Sequence, residues 1–337
     1  MAPVLEAAPE GLYCAAGGFY VDPWAPVAHA VLTHAHGDHA RPGSARYSCA
    51  APGAALLQHR FGEGASVEPV PYGDTRALGD ARVSFHPSGH VLGAAQIRIE
   101  VGGEVWVVSG DYKRAPDPTC APFEVVLCDT FVTEATFALP VFRWAEPRTV
   151  VEEIHRWWME GRAAGRPSVL FAYALGKAPR ILAELRRMTD EPVLAHGAVL
   201  AMADLYRAAG IDLAETQPVP EKKRGASVAG ALVLAPLAAS GTPWMRRFPG
   251  AETGFASGLM RIRGTRRRKG FDRGFVLSDH ADWPALLRTI TETGARRVLV
   301  THGHSHLLAR YLREQGTDAD VLPTPYAGEA DTEVPAS

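Results

Sequence analysis

Cysteine is scarce in this sequence, and its few copies are not arranged in pairs. The cysteines are Cys14, Cys49, Cys120 and Cys128, they are widely spaced, and no Cys-x-x-Cys motif occurs. The dense disulfide framework of small secreted domains is therefore excluded. This cysteine usage favours a reducing, cytoplasmic setting.

Long apolar runs and an excess of one charge are also lacking. No stretch approaches the roughly 18 uninterrupted apolar residues of a membrane span, and the N-terminus has no basic start followed by an apolar run. We therefore expect a soluble protein with no membrane partner. The net charge of −2 gives no overall attraction to nucleic acid, so any such binding must come from a local concentration of Lys and Arg.

Short apolar runs broken by Gly, Pro and Asp fill the first third of the chain and predict strands. Ile97–Val101 and Val105–Ser109 flank Gly102-Gly103, a pair suited to a tight hairpin, and Val125–Cys128 is a further predicted strand. After Pro140, helical spacing alternates with strand-like runs. We predict a first lobe built from residues 1–142 and 266–337, and an α/β insert of residues 143–265.

The motif HAHGDH, residues 34–39, follows the strand-like run that ends at Thr33. Imidazole nitrogens and carboxylate oxygens are ligands that zinc, manganese and iron accept. His34 and His36 are expected to project to one side, while Asp38 and His39 can face a second ion. The alternative is a solvated polar loop that happens to be rich in histidine.

Further candidate ligands also follow strand-like runs. His90 lies in PSGHVLG, Asp111 in VVSGDY and His302 in VLVTHGH. A neighbouring glycine lets the backbone approach an ion without a side-chain clash. These residues make the solvated-loop alternative less favoured.

SDHADW, residues 278–283, is a candidate acid/base group. His280 lies between Asp279 and Asp282, and a carboxylate beside an imidazole fixes its tautomer and raises its basicity. Glu134, at the end of another strand-like run, is a candidate partner for His280. The alternative is a helix cap in which Ser278 or Asp279 leads and Asp282 lies in the first turn.

The chain carries, in this order, a His-x-His-x-Asp-His motif, a Gly-His, a Gly-Asp and a histidine at the end of a strand. This order of motifs resembles that of the metallo-β-lactamase superfamily. The resemblance implies a four-layer αββα sandwich of the α/β class that binds two divalent ions, with zinc favoured and manganese as the alternative. It also implies a hydroxide between the ions as nucleophile. By this resemblance one ion is held by His34, His36 and His90, the other by Asp38, His39 and His302, and Asp111 bridges them.

Within that superfamily the chain resembles the β-CASP nucleases. Glu134 matches their acidic motif, His280 their middle histidine and His302 their final one, while FAYALGKAPRIL at 171–182 is similar to a segment of their insert domain. More narrowly, the whole chain is similar to bacterial ligase-associated DNA exonucleases. That resemblance implies DNA repair beside an ATP-dependent DNA ligase and a helicase.

A basic strip supplies the local positive charge that the net charge conceals. The segment RIRGTRRRKGFDR precedes SDHADW, and guanidinium groups pair well with phosphate. Lys177 opens a predicted helix and is a weaker candidate. The alternative is a solvated loop. The candidate nucleic-acid contacts are Lys177, Arg261, Arg263, Arg266, Arg267, Arg268 and Lys269.

The leading hypothesis is a metal-dependent DNA exonuclease acting on single-stranded DNA or DNA with free ends. Asp38, His280 and Glu134 are its candidate catalytic residues, with His280 protonating the leaving oxygen. An RNA-processing nuclease with the same site is the second hypothesis, and a catalytically silent nucleic-acid-binding subunit is the third. A small-molecule hydrolase is disfavoured by the insert and the basic strip. Cleavage polarity, endo or exo preference and oligomeric state stay open.

Overall fold

Two compact units make up the chain. The computed structural model describes residues 3–220, 228–262, 264 and 270–323. Unit 1 contains the residues up to Val141 and those from His280 onward, and unit 2 is Phe142–Asp279. The insert of residues 143–265 stays a prediction, and a strand that begins at Arg273 pairs with the sheet of unit 2.

Two sheets form the centre of unit 1. In the first, neighbouring strands follow chain order: β1 (Glu6–Ala8), β2 (Gly11–Cys14), β3 (Phe19–Val21), β4 (Ala30–Leu32), β5 (Tyr47–Ala50) and β6 (Val67–Val70). The second has the order β19-β18-β11-β10-β9-β8-β7. Its strands are β7 (Thr75–Leu78), β8 (Ala81–Pro87), β9 (Ala95–Val101), β10 (Glu104–Val108), β11 (Thr130–Glu134), β18 (Arg297–Thr301) and β19 (Asp318–Val321).

Apolar side chains from both sheets of unit 1 form one core between them, in which Val31 and Phe19 join Phe85 and Ile97. The helices of unit 1 pack on the outer faces of these two sheets. A second core joins β11 and β18 to α5 (Trp283–Glu292) and α6 (Ser305–Glu314), while α1 (Ala54–Phe61) contacts β6. This layering confirms the predicted α/β class and αββα sandwich.

Unit 2 is a parallel α/β unit. Its sheet has the order β14-β13-β15-β12-β16-β17, and every neighbouring pair is parallel. The strands are β12 (Ser168–Phe171), β13 (Val193–Ala195), β14 (Thr216–Pro218), β15 (Leu232–Ala235), β16 (Glu252–Ala256) and β17 (Arg273–Phe275). The helices that the structure describes here are α2 (Pro147–Ala163), α3 (Lys177–Leu185) and α4 (Gly197–Ala208). Short 3₁₀ turns lie at Ala51–Gly53 in unit 1 and at Leu237–Ala239, Pro243–Arg247 and Gly258–Arg261 in unit 2.

The predicted hairpin is confirmed, whereas one predicted strand is wrong. β9 and β10 pair antiparallel across Gly102 and Gly103, whose φ angles are 58° and 87°. Residues 125–128 do not join a sheet, because the backbone N–H of Cys128 donates to Thr293 in the turn after α5 rather than to a neighbouring strand. Among the described residues, no helix is both long enough and apolar enough to cross a membrane.

Candidate metal centre

The loop after β4 carries the first four candidate ligands. β4 is fully buried and pairs with β3 on one side and β5 on the other. After β4 the chain leaves the sheet at Thr33 and turns. The backbone N–H groups of His39 and Ala40 both donate to the carbonyl of His36, at 3.2 and 2.8 Å. This tight turn brings His34 and His39 together, with ring centroids 4.1 Å apart.

Asp111 lies between two groups of histidines. Its Oδ2 atom is 3.5 Å from Nε2 of His34 and 3.7 Å from Nε2 of His90, whereas its Oδ1 atom is 3.6 Å from Nε2 of His39. The two carboxylate oxygens therefore face different histidines.

On the Oδ2 side of Asp111, three histidines converge. Nε2 of His90 is 3.0 Å from Nδ1 of His36, and one ligand atom from each of His34, His36, His90 and Asp111 lies within 4.8 Å of all the others. A tetrahedral ion with bonds of about 2.0–2.1 Å separates its ligand atoms by roughly 3.4 Å. The spacing of this cluster suits one such ion.

On the Oδ1 side, Asp38 and His302 accompany His39. The rings of His39 and His302 stack at 5.1 Å with an interplanar angle of 17°. The charges of His39 and His302 both act on Asp38 and lower its pKa, although burial raises it. His302 follows β18 directly with a left-handed φ of 60°, which turns the chain sharply at the strand end.

The surroundings of two ring nitrogens indicate whether this donor set fits metal ions. Nε2 of His34 and Nε2 of His39 are buried, and neither has a hydrogen-bond partner among the described residues. An unsatisfied buried polar atom costs about 1–3 kcal/mol, so native proteins rarely leave one without a purpose. Both atoms point toward Asp111. The donor set of His34, His36, His90 and Asp111 therefore fits a cation, and Nε2 of His39 offers a donor on the other side of that carboxylate.

The histidines differ in their affinity for protons. Burial, together with the neighbouring imidazoles, holds the pKa of His34 well below its usual value, and burial lowers the pKa of His302 to about 4. Burial also acts on His39, but the carboxylates of Asp111, Asp38 and Asp22 outweigh it and raise its pKa to about 10. Burial raises the pKa of Asp111 to about 7 against the opposing effect of His39.

Asp22 and Thr33 orient His39, and sequence reasoning missed both. Nδ1–H of His39 donates to Oδ2 of Asp22 at 2.7 Å, which directs Nε2 toward Asp111. Thr33 donates its backbone N–H and its hydroxyl to the same carboxylate. Asp22 follows β3, and the sequence signal was an aspartate at a strand end. Such outer partners typically fix the tautomer of a ligating histidine.

Glu134 holds His280. Nδ1–H of His280 donates to Oε2 of Glu134 at 2.9 Å, while the backbone N–H of Tyr112 donates to Oε1 at 2.8 Å. Burial raises the pKa of Glu134, but His280 and Tyr112 outweigh it and keep the carboxyl below its usual pKa. Nδ1 of His280 lies 4.0 Å from Asp111, so the pair adjoins the metal centre.

The carboxylates beside His280 in the sequence serve other purposes. Asp282 is the N-cap of α5, since its side chain accepts from the backbone N–H of Ala285 at 3.1 Å. Asp279 pairs with Nζ of Lys177 at 2.7 Å within unit 2. The carboxylate that contacts His280 is therefore that of Glu134. The capping alternative was right about a helix cap but wrong about its position, because Asp282 is itself the N-cap, in place of Ser278 or Asp279, and does not lie in the first turn.

Lys177 and Arg261 have different surroundings in unit 2. The side chain of Lys177 is only 1% exposed and lies over the ring of Tyr173, which argues against a direct phosphate contact. Arg261 is exposed at the end of its 3₁₀ turn. The other residues of the predicted basic strip, Arg263, Arg266, Arg267, Arg268 and Lys269, lie outside the described residues.

The chain is similar to several curated proteins, two of which carry nuclease names. No protein-family model matches the chain. A protein of Opitutus terrae named "Probable DNA ligase" is 30% identical over 311 residues, which covers 92% of this chain and 30% of that protein. "Endoribonuclease YSH1" of Gibberella zeae is 31% identical over 121 residues, covering 34% of this chain and 14% of the relative. "RNase J-like protein" of Methanocaldococcus jannaschii is 24% identical over 154 residues, covering 42% of this chain and 36% of the relative.

These relatives support the metallo-β-lactamase superfamily and its β-CASP group, but they do not identify a specific family within it. The match covers only 30%, 14% and 36% of the length of these three relatives, so the chain spans about a third of their length or less. A crystal structure of an Enterococcus faecalis protein of unknown function matches with a TM-score of 0.61 and 14% identity, over 89% of this chain and 80% of that one. At that identity the match concerns the fold alone.

Proposed function

We propose that this protein is a metal-dependent nuclease that hydrolyses phosphodiester bonds of nucleic acid. The observation that carries the proposal is the position of Asp111, whose two oxygens face separate histidines with buried Nε2 atoms that have no hydrogen-bond partner. A shared carboxylate between two ligand groups suits two-metal hydrolysis of phosphate esters. The nuclease names of the relatives favour a polynucleotide over a small substrate.

The proposed ligand sets are those that the family resemblance implies, and the two faces of Asp111 support them. His34, His36 and His90 would hold one divalent ion on the Oδ2 side, and Asp38, His39 and His302 would hold the other on the Oδ1 side. When bound, such ions polarise the phosphoryl oxygens and lower the pKa of a coordinated water. A donor set made only of histidine nitrogens and carboxylate oxygens favours zinc, with manganese as the alternative.

His280 is proposed as the general acid. Its Nδ1–H is committed to Glu134, so a proton on Nε2 is the one that can pass to the leaving oxygen of the substrate. Glu134 stabilises the protonated ring and is itself fixed by the backbone N–H of Tyr112. Asp38, a catalytic candidate from the sequence, acts in this proposal as a ligand on the Oδ1 side.

DNA is the proposed substrate, as single strands or free ends, with exonucleolytic cleavage in DNA repair. The resemblance to ligase-associated exonucleases supports this, as does the relative named "Probable DNA ligase" over most of this chain. We further propose a cytoplasmic location and association with an ATP-dependent ligase and a helicase. The proposed insert domain and the basic strip through Lys269 would bind the strand.

RNA is the second candidate substrate. Two relatives carry ribonuclease names, and a hydrolysis that does not use the 2′-hydroxyl suits both polymers. A catalytically silent binding subunit is the third candidate, but the complete donor set around Asp111 favours an enzyme.

Product analysis tests these alternatives. The protein is loaded with zinc or manganese and given 5′- and 3′-labelled single-stranded DNA, duplex DNA and RNA. We expect stepwise shortening of DNA that Asp111→Asn abolishes. Asp74→Asn, at an exposed aspartate that pairs with Arg76, is the matched control and should cleave normally. Cleavage of RNA alone would favour the second candidate, and binding without any cleavage would contradict the nuclease proposal.

A further inference from the structure

Arg60, at the end of α1, is an exposed cation held in one orientation. Its Nε–H donates to the carbonyl of Ala40 at 2.9 Å, directly after the loop that carries the candidate ligands. Among the described residues, its two terminal nitrogens have no hydrogen-bond or ion-pair partner. An arginine that is fixed at Nε and open at its outer edge resembles a binding group more than a structural ion pair.

Gly37 explains how Arg60 reaches that loop. A Cβ atom added at Gly37 would lie 2.5 Å from a terminal nitrogen of Arg60, so the guanidinium rests on the backbone between His36 and Asp38. Gly37 does not have a positive φ angle, so its backbone conformation does not require glycine. Its lack of a side chain leaves room for Arg60 beside the candidate metal ligands.

The charges near Arg60 also favour an anion. The carboxylate of Asp38 and the guanidinium of Arg41 both act on Arg60 electrostatically, yet Arg60 and Asp38 do not form an ion pair. If Asp38 binds a cation, as proposed above, its charge is no longer available to balance Arg60. The guanidinium groups of Arg60 and Arg41 then lie close enough to act on each other beside the loop that carries the candidate ligands.

We propose that Arg60 binds a backbone phosphate of the nucleic-acid strand as that strand passes the metal-binding loop. This inference rests on the proposed nuclease function and adds a phosphate contact in unit 1, apart from the basic strip. A guanidinium can donate two parallel hydrogen bonds to one phosphate, and the bond to Ala40 holds the group in place before the strand arrives.

The test compares Arg60→Gln with Arg82→Gln. Arg82 is exposed near the start of β8, at the opposite end from the one that leads to His90, and serves as the matched loss of one positive charge. Fluorescence anisotropy measures binding of a phosphorothioate single-stranded DNA, which resists hydrolysis, to the metal-loaded protein at several salt concentrations. Metal content is measured in parallel.

For Arg60→Gln we expect roughly tenfold weaker binding, the effect of losing one charge-assisted contact, with unchanged metal content. The slope of log affinity against log salt should fall by about 0.7, the value for one phosphate contact on a single strand. Arg60→Lys should keep the slope and recover part of the affinity. Arg82→Gln should change neither quantity.

The inference and the proposed function fail in different ways. If the unmodified protein binds the strand and Arg60→Gln binds it equally well with the same slope, the phosphate contact is wrong while the nuclease proposal stands. If Arg60→Gln and Arg60→Lys both lose metal, Arg60 only supports the loop and the inference is overturned. If the unmodified protein binds neither DNA nor RNA, the proposed function fails and the inference fails with it.

Discussion

The two histidine groups on either side of Asp111 contain the same kind of ligand but carry different charge. On the Oδ2 side, burial and neighbouring imidazoles keep the pKa of His34 far below its usual value. On the Oδ1 side, three carboxylates raise the pKa of His39 to about 10 despite burial. Carboxylate placement, and not burial, therefore decides which histidine holds a proton.

This difference suggests how each side would bind a cation. The Oδ2 side offers neutral nitrogens that are ready to ligate. The Oδ1 side contains a surplus of negative charge, and a proton on His39 balances part of it when a metal is absent. A metal on that side must displace the proton, so its affinity should depend on pH.

Replacing Asp111 should weaken metal binding on both sides at once, because the two proposed ligand groups share this residue. In Asp111→Asn we expect metal content below one equivalent and a loss of phosphodiesterase activity of at least about 10⁴-fold. Metal analysis and a small phosphodiester substrate measure the two effects, with Asp74→Asn as control. A variant that keeps two tightly bound ions would contradict the bridging position.

A His280 variant tests whether this residue belongs to the ligand group on the Oδ2 side, since its Nδ1 atom lies only 4.0 Å from Asp111. As a general acid, His280→Ala should keep its metal content and lose activity by roughly 10² to 10⁴. Glu134→Gln should cause a milder loss, because it alters only the orientation and charge of the imidazole. If His280→Ala releases an ion, His280 is a ligand and the assigned role is wrong.

Asp22 tests the origin of the charge on the Oδ1 side. Asp22→Asn should lower the pKa of His39 and weaken metal binding on that side by about 10- to 100-fold, the usual cost of losing an outer partner of a ligating histidine. The affinity on the Oδ2 side should be nearly unchanged. Calorimetric titration of the metal-free protein resolves the two events, and equal weakening of both would contradict the assignment.

The smallest expected effect is a pH dependence confined to one ion. Between about pH 8 and pH 9, Asp111 is mainly ionised while His39 still holds its proton, so competition affects only the Oδ1 side. Affinity there should rise about tenfold over that pH unit, because one proton leaves His39 as the metal binds. Manganese titrations at several pH values in this range measure this. The predicted direction is a rise in metal affinity with pH, and an affinity that falls as the pH rises would contradict it.

The sequence predicted the ligands better than it predicted their partners. HAHGDH follows a short buried strand, so the positions of His34 and His39 could be inferred from local spacing alone. Asp22 could not be assigned to His39, because their contact depends on how β3 pairs with β4. The αββα layering followed from the family resemblance and not from periodicity.

Adjacency in the sequence misled the interpretation of SDHADW. Asp279 and Asp282 are neighbours of His280 along the chain, but one pairs with Lys177 and the other caps α5. The partner in the structure, Glu134, is distant in sequence and was a candidate only because it ends another strand-like run. Lys177 illustrates the same difficulty, because a lysine at a helix start was expected to be accessible and is instead buried in an ion pair.

The most direct test of the central proposal is the metal stoichiometry of the purified protein after saturation with zinc or manganese and removal of excess ion. Two ligand groups that share Asp111 predict two equivalents per chain in the unmodified protein. They also predict that His34→Ala and His39→Ala each retain about one. A stoichiometry that stays at one or below in the unmodified protein would contradict the two-metal account.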